Sequence, residues 1–149
     1  MNNVLCEIEQ DKKWAVSYFY YKENRGWHKN IHKKGGSAHD NILDTLNSIS
    51  ETSVMYVLRV DNDPAGFFVR YASDKGICLE GFHVIEKYRT SDFLSVFWKE
   101  LKFVLGDEFV TGIYEKNKRA IDHLVKQGFT FDGKVEEQNK TFYILKLKQ

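Results

Sequence analysis

The sequence has little that breaks a chain and little that cross-links one: a single proline, Pro64, and two cysteines, Cys6 and Cys78, in 149 residues. No Pro- or Ser-rich linker, internal repeat or low-complexity tract divides it. The length therefore reads as one domain, 1–149, able to bury a core without staples or metal. Cys6 and Cys78 lie far apart, form no CxxC unit and sit in apolar stretches. They read as buried free thiols of a reducing compartment, with a single disulfide between them as the alternative. An excess of one charge is also missing. Lys and Arg number 22 against 21 Asp and Glu, a formal net charge of +1. That balance removes the electrostatic case for a general nucleic-acid or anionic-membrane binder. No apolar run suits a signal peptide or a membrane span, so the expected location is the cytoplasm. What is plentiful is aromatic: 11 Phe, 8 Tyr and 3 Trp, in a chain 42% hydrophobic and 29% charged, the balance of a globular protein with a ring-rich core.

The pattern along the chain is least decisive at its start. Val4 to Ile8 fits a short strand, and Trp14 to Tyr21 fits either strand or helix. Gly26 and Gly35-Gly36 make 24–36 a loop, after which Ser37 or Asp40 caps a short helix through Ile42, Leu43, Leu46 and Ile49. From residue 54 the signals are firmer. Val54–Val60, Ala65–Tyr71 and Ile77–Ile85 read as consecutive antiparallel strands separated by turns at 61–64 and 73–76. Ser91 is the expected N-cap of a long helix whose apolar stripe is Phe93, Leu94, Phe97, Trp98, Leu101, Val104 and Leu105, ended by Gly106. Phe109–Tyr114 is a further strand. Asn117 caps a second helix with Ala120, Ile121, Leu124 and Val125 inward, stopped by Gly128-Phe129 in a Schellman-type ending. Phe129–Val135 and Thr141–Leu147 close the chain as a hairpin around 136–140. The strand–helix–strand step from Ile77 to Tyr114 implies a parallel pair with a right-handed crossover.

Three local patterns then fall in a meaningful order. Asn117, Ala120, the apolar helix and Gly128-Phe129 form one. Val84 followed five residues later by Arg89, leading into the long helix, is the second. Gly66 at the start of the preceding strand is the third. Together, over roughly residue 54 to the end, they resemble the GNAT (general N-acetyltransferase) superfamily. The resemblance implies an α/β (α+β mixed) fold: a mixed, mostly antiparallel sheet with a central splayed parallel strand pair and helices on both faces. It also implies a cofactor-binding core at 54–149, with 1–53 as the variable acceptor side. Acetyl-CoA would be the co-substrate. Its pantetheine arm would lie along Val84, Ile85 and Glu86, its pyrophosphate at Arg89, Thr90, Ser91, Asp92, Phe93 and Leu94, with Asn117 and Lys118 beside the arm. A helix N-terminus supplies unpaired N–H groups and the positive end of a dipole, which suits a pyrophosphate.

The chain departs from the family at two points. The family's loop, Arg/Gln-x-x-Gly-x-Gly/Ala, reads here Arg89-Thr90-Ser91-Asp92-Phe93-Leu94. Asp92 thus adds a carboxylate where glycine lets backbone approach the phosphates. The family's frequent acid, a Tyr seven residues after the Asn, is Leu124. Tyr114 is the expected catalytic substitute, with Tyr88 and His123 as alternatives. Glu80 is the expected general base, with His83, on the opposite strand face by simple alternation, as the alternative. His28, His32 and His39 complete no recognisable ligand set, so no metal is expected. With Arg25 and Trp27 they would border the acceptor cleft. The expected activity is transfer of an acetyl group to a primary amine of a small molecule or peptide by direct attack. The alternative is a GNAT-shaped module that has lost efficient use of CoA. No nucleic acid or membrane partner is expected, and the chain would act as a monomer or homodimer.

Overall fold

A computed structural model describes residues 3–23 and 38–149. The expected loop at 24–36, with Ser37 after it, lies outside the described residues. Strand β1 spans Val4–Glu9, helix α1 Lys12–Glu23 and helix α2 Ala38–Ser48. Strands β2, Val54–Val60, β3, Asp63–Ser73, and β4, Gly76–Val84, follow. A short 3-10 turn, Glu86–Tyr88, leads to helix α3, Ser91–Leu105. Strand β5, Glu108–Tyr114, helix α4, Lys118–Lys126, and strands β6, Thr130–Glu137, and β7, Lys140–Lys148, complete the order. The ambiguous Trp14–Tyr21 stretch is helical. Its aromatic residues occur all round the period, so the sequence carries no clean two- or three-to-four-residue alternation there.

The seven strands form one sheet in the order β1-β2-β3-β4-β5-β7-β6, antiparallel throughout except for the parallel pair β4 and β5. The fold class is therefore the mixed, mostly antiparallel α/β sheet that the sequence implied. Val57, Phe67 and His83 stand side by side on one face, where Phe67 and His83 meet Phe19 of α1. Helix α2 packs on α1. On the other face Tyr56, Phe68 and Phe82 are aligned, and Phe82 stacks on Trp98 of α3 at 5.0 Å. The rings of Trp98, Phe129 and Phe109 continue that core toward β5.

Turn and cap chemistry fixes the connections. Asp61 and Asn62 take positive φ (49° and 72°) between β2 and β3, and Gln138 and Asn139 do the same between β6 and β7. The N-cap of α3 is Thr90 rather than Ser91: its side chain accepts from the Phe93 amide. Asn117 caps α4 as expected, accepting from the Ala120 amide. At the other end of α4, Phe129 N–H donates to Leu124 O and Gly128 N–H to Val125 O, with Gly128 at φ 104°: a complete Schellman ending. Ile121 and Leu124 are buried, but Val125, expected inward, is exposed because a nine-residue helix turns only a narrow stripe to the sheet. Strand β6 forms the outer margin of the sheet. All its residues are exposed, and the ladder to β7 is broken by a bulge at Asp132. Cys6 and Cys78 are free thiols on β1 and β4, strands held apart by β2 and β3. Burial pushes both thiols up, Cys6 to about 12. Neither is a poised nucleophile.

Candidate functional site: a parting between two parallel strands

The parallel ladder is short. Ile77, Cys78 and Leu79 pair with Phe109, Val110 and Thr111, and pairing stops there. Beyond that point β4 runs on to Val84 against β3, while β5 runs on to Tyr114 against β7. The two strands therefore part at their carboxyl ends. Thr111 marks the vertex: its buried hydroxyl donates to the Leu79 carbonyl at 2.9 Å, tying together the last paired residues.

The register identifies which backbone groups line the parting. Ile85 N–H donates to Ala65 O at 2.8 Å, across the Gly66–Val84 pair. In an antiparallel ladder this makes Gly66–Val84 a non-hydrogen-bonded pair, whose own N–H and C=O point away from each other. Val84, and Phe82 two residues before it, thus direct their backbone groups away from β3, toward the side where β5 has left. Ile85, assigned by sequence to the pantetheine path, instead spends its N–H on Ala65. Glu86 has left the strand for the 3-10 turn. Gly66 is required by this approach. A Cβ there would stand 2.5 Å from the His83 carbonyl oxygen and 3.2 Å from Val84 Cα.

A second irregularity positions Glu80. Val69 pairs with Gly81 but Arg70 with Leu79, so Glu80 is the extra residue of a bulge. Strict alternation would place Glu80 and His83 on opposite faces; the bulge brings Glu80 to the same face as His83. Its carboxylate accepts a 2.7 Å hydrogen bond from Ser53, which continues the Met55–Val57 face of β2. His83 itself is buried between the rings of Phe19 and Phe67. Tyr114 also belongs to this face. Phe109 and Thr111 lie on the α3 face, and unbroken alternation puts Tyr114 on the other. Its ring meets Phe142, and the Lys140 ammonium lies 5.7 Å from its centroid.

The turn after β4 is held by two side chains. Tyr88, only 5% exposed, donates from its hydroxyl to Asp63 at 2.6 Å. That bond, with burial adding to it, pushes the phenol up to about 12, and the hydroxyl is committed to bracing the turn. Arg89 Nε donates to the Val84 carbonyl at 2.7 Å. Thr90, Ser91 and Asp92 are exposed at the start of α3. Phe93 and Leu94 turn inward: the Phe93 ring meets Tyr88 and Phe97, and Leu94 packs against the core. Their side chains are core, leaving only their backbone near the turn. Asn117 and Lys118 are exposed at the start of α4, and Leu124, where the family has Tyr, is buried. His123 is half-buried beside Trp98. Its Nε2 accepts from the Trp98 indole at 2.8 Å, and burial, with Lys126 nearby, holds its pKa below the usual 6.5. A ring nitrogen committed in this way is structural.

Sequence reasoning missed Ser53, Asp63 and Thr111. Each is a short polar residue whose partner lies at least 25 residues away, and nothing local announces it. Among the described residues, no group of three or more His, Cys, Asp or Glu stands ready to hold a metal ion, and no helix is long and apolar enough to cross a membrane. His28 and His32, with Arg25 and Trp27, lie outside them.

No family model matches the chain, and no curated protein matches it in sequence. Solved structures do match. A GNAT-family acetyltransferase from Bacillus cereus is similar with a TM-score of 0.65 at 17% identity, covering 100% of this chain and 98% of that one. An aminoglycoside acetyltransferase in complex with coenzyme A gives 0.66 at 17% identity, covering 99% and 95%. A mutant spermidine N-acetyltransferase from Vibrio cholerae gives 0.64 at 11% identity, covering 98% and 94%.

Proposed function

We propose, from the GNAT fold that the chain has over nearly its whole length, that it transfers an acetyl group from acetyl-CoA to a primary amine. The observation that carries this reading is the parting of β4 and β5 beside the N-terminus of α3. A slender arm with two amides can pair there with Phe82 and Val84 as an added strand would. The first-turn amides of α3, including those of Ser91 and Asp92, would face the pyrophosphate. Asn117 and Lys118 would flank the arm from α4. Residues 1–53 would form the acceptor side and 54–149 the donor core.

In the reaction, the amine nitrogen attacks the thioester carbonyl carbon and a C–N bond forms. The carbonyl oxygen takes the negative charge, stabilised by a backbone N–H; Val84 supplies it, since Ile85 is engaged. Collapse breaks the C–S bond and expels the thiolate. Glu80, directly or through water, takes the proton that the ammonium gives up before attack; the Tyr114 hydroxyl protonates the thiolate sulfur, and the second proton shed by the nitrogen on collapse returns through water to Tyr114. Glu80 is supported by its place on the same face as Tyr114 and His83, at the bulge where the strands begin to part. Juxtaposition in the cleft supplies the larger share of the rate, because a thiolate is a fair leaving group.

Asp92 favours a second reading, a binding module with weak catalysis. Its carboxylate would repel a phosphate by roughly 4 kcal/mol at about 4 Å in a surface-like medium. Titration calorimetry with acetyl-CoA and CoA, followed by thiol release over a panel of amines, separates the two. Binding with turnover supports the enzyme. Binding without turnover leaves the module, and no binding leaves only the scaffold.

A further inference from the structure

Resting on the acyl-CoA reading above, we propose that Arg89 is a latch that selects donors carrying a pyrophosphate. Its guanidinium covers the Val84 carbonyl, which the arm of a bound donor would otherwise take. Val84 is in a non-hydrogen-bonded pair with Gly66, so its carbonyl is directed into the parting rather than into the sheet. The arm of the donor has amide N–H groups that need acceptors at this edge, and Val84 O is the last one β4 offers before the chain turns. Arg89 Nε already occupies it at 2.7 Å.

The latch has a ready means of release. Arg89 stands one residue before the N-cap of α3, where a pyrophosphate would meet the first-turn amides, and it is exposed to solvent. A guanidinium bond to a carbonyl is already charge-assisted, but a phosphate adds a full opposite charge and can take the planar fork through two parallel bonds, which a single carbonyl does not. A donor with a pyrophosphate can therefore draw Arg89 off Val84 and place its own amide there. An arm without phosphates must break the Arg89–Val84 bond with nothing given in return. Asp92, a carboxylate in the same turn, makes the offset by Arg89 more necessary for an anionic donor. The outcome is discrimination against acyl donors whose pantetheine arm lacks the nucleotide pyrophosphate.

The test measures binding of CoA and of pantetheine, which has the same thiol arm and no phosphate, by amide chemical-shift titration of the full chain. Arg89→Ala should weaken CoA by about tenfold or more, since a charge-assisted contact is lost, and should tighten pantetheine several-fold. Arg89→Lys keeps the charge without the planar fork, so CoA affinity should fall between the parent and the Ala variant, while pantetheine still binds more tightly than to the parent. Melting curves matching the parent show that both variants fold. Equal weakening of both ligands by Arg89→Ala makes Arg89 a structural brace and overturns the latch. Pantetheine unmoved by either substitution overturns it as well, and in both cases the acyl-CoA reading stands if the parent chain binds CoA. Binding of neither ligand to any of the three proteins removes the latch and that reading together.

Discussion

Replacing Gly66 with Ala tests the backbone geometry on which the parting depends. The new methyl carbon would lie 2.5 Å from the His83 carbonyl oxygen, and the obstacle is backbone rather than a rotatable side chain. Ordinary contact begins near 3.4 Å, so β3 and β4 must separate by about 0.9 Å beside Val84. Overpacking that forces backbone shifts costs ~1–3 kcal/mol, and the upper half of that range applies here. The smaller conformational freedom of Ala in the unfolded chain returns ~0.4–1 kcal/mol. A net loss of about 2 kcal/mol should lower the thermal midpoint by roughly 4–8 °C in a chain of this size. Gly112→Ala is the matched control, because its Cβ would meet only Ile144 Cδ1, at 3.8 Å. That change should stay within about 0.5 kcal/mol of the parent. Urea and thermal unfolding of the two variants decide the matter. If Gly66→Ala is as stable as Gly112→Ala, the close approach of β3 to the end of β4 is wrong, and the argument for which amides line the parting falls with it.

Three further outcomes follow from the same geometry. Thr111→Val keeps the shape but leaves the Leu79 carbonyl without its 2.9 Å donor, so urea unfolding should show a loss of about 1–2 kcal/mol. Glu80→Gln retains an acceptor for Ser53 but no base; it should lower kcat about a hundredfold with CoA affinity unchanged, and full activity would remove Glu80 from the mechanism. His123 has a folded pKa below its ordinary 6.5, so the unfolded chain binds its proton first as pH falls. Stability should therefore drop as pH goes below 6.5 and level off once the folded imidazole is protonated, and His123→Gln should flatten that part of a thermal-midpoint profile between pH 7.5 and 5.

The elements from residue 54 onward were legible because their signals are local. Asn117 and Gly128 bound a helix whose inward Ile121 and Leu124 repeat at helical spacing, and both caps formed as read. The likeness at Gly66 also has a physical cause, since only a residue without Cβ fits opposite Val84. What the sequence did not disclose is long-range or irregular. No residue type marks the Glu80 bulge, and without it alternation assigns the wrong face. Thr90 and Ser91 are adjacent hydroxyl residues of nearly equal capping strength, and the choice between them rests on the 3-10 turn before them. Arg89 could be matched by spacing, but its bond to Val84 depends on how the chain folds back after the strand. The Trp98 partner of His123 comes from another helix, so no local pattern announces it.

The outer margin of the sheet has a bearing on how the protein behaves in a crowded solution. Strand β6 presents Asp132, Lys134, Glu136 and Glu137 with no cover, and the bulge at Asp132 kinks the rail on which a foreign strand would have to dock. A visiting segment would need to strip water from several charges while matching a broken repeat of amide groups. Templated growth into fibres from this edge is therefore discouraged by the chain itself, even though Phe131 and Val135 lie open on that strand.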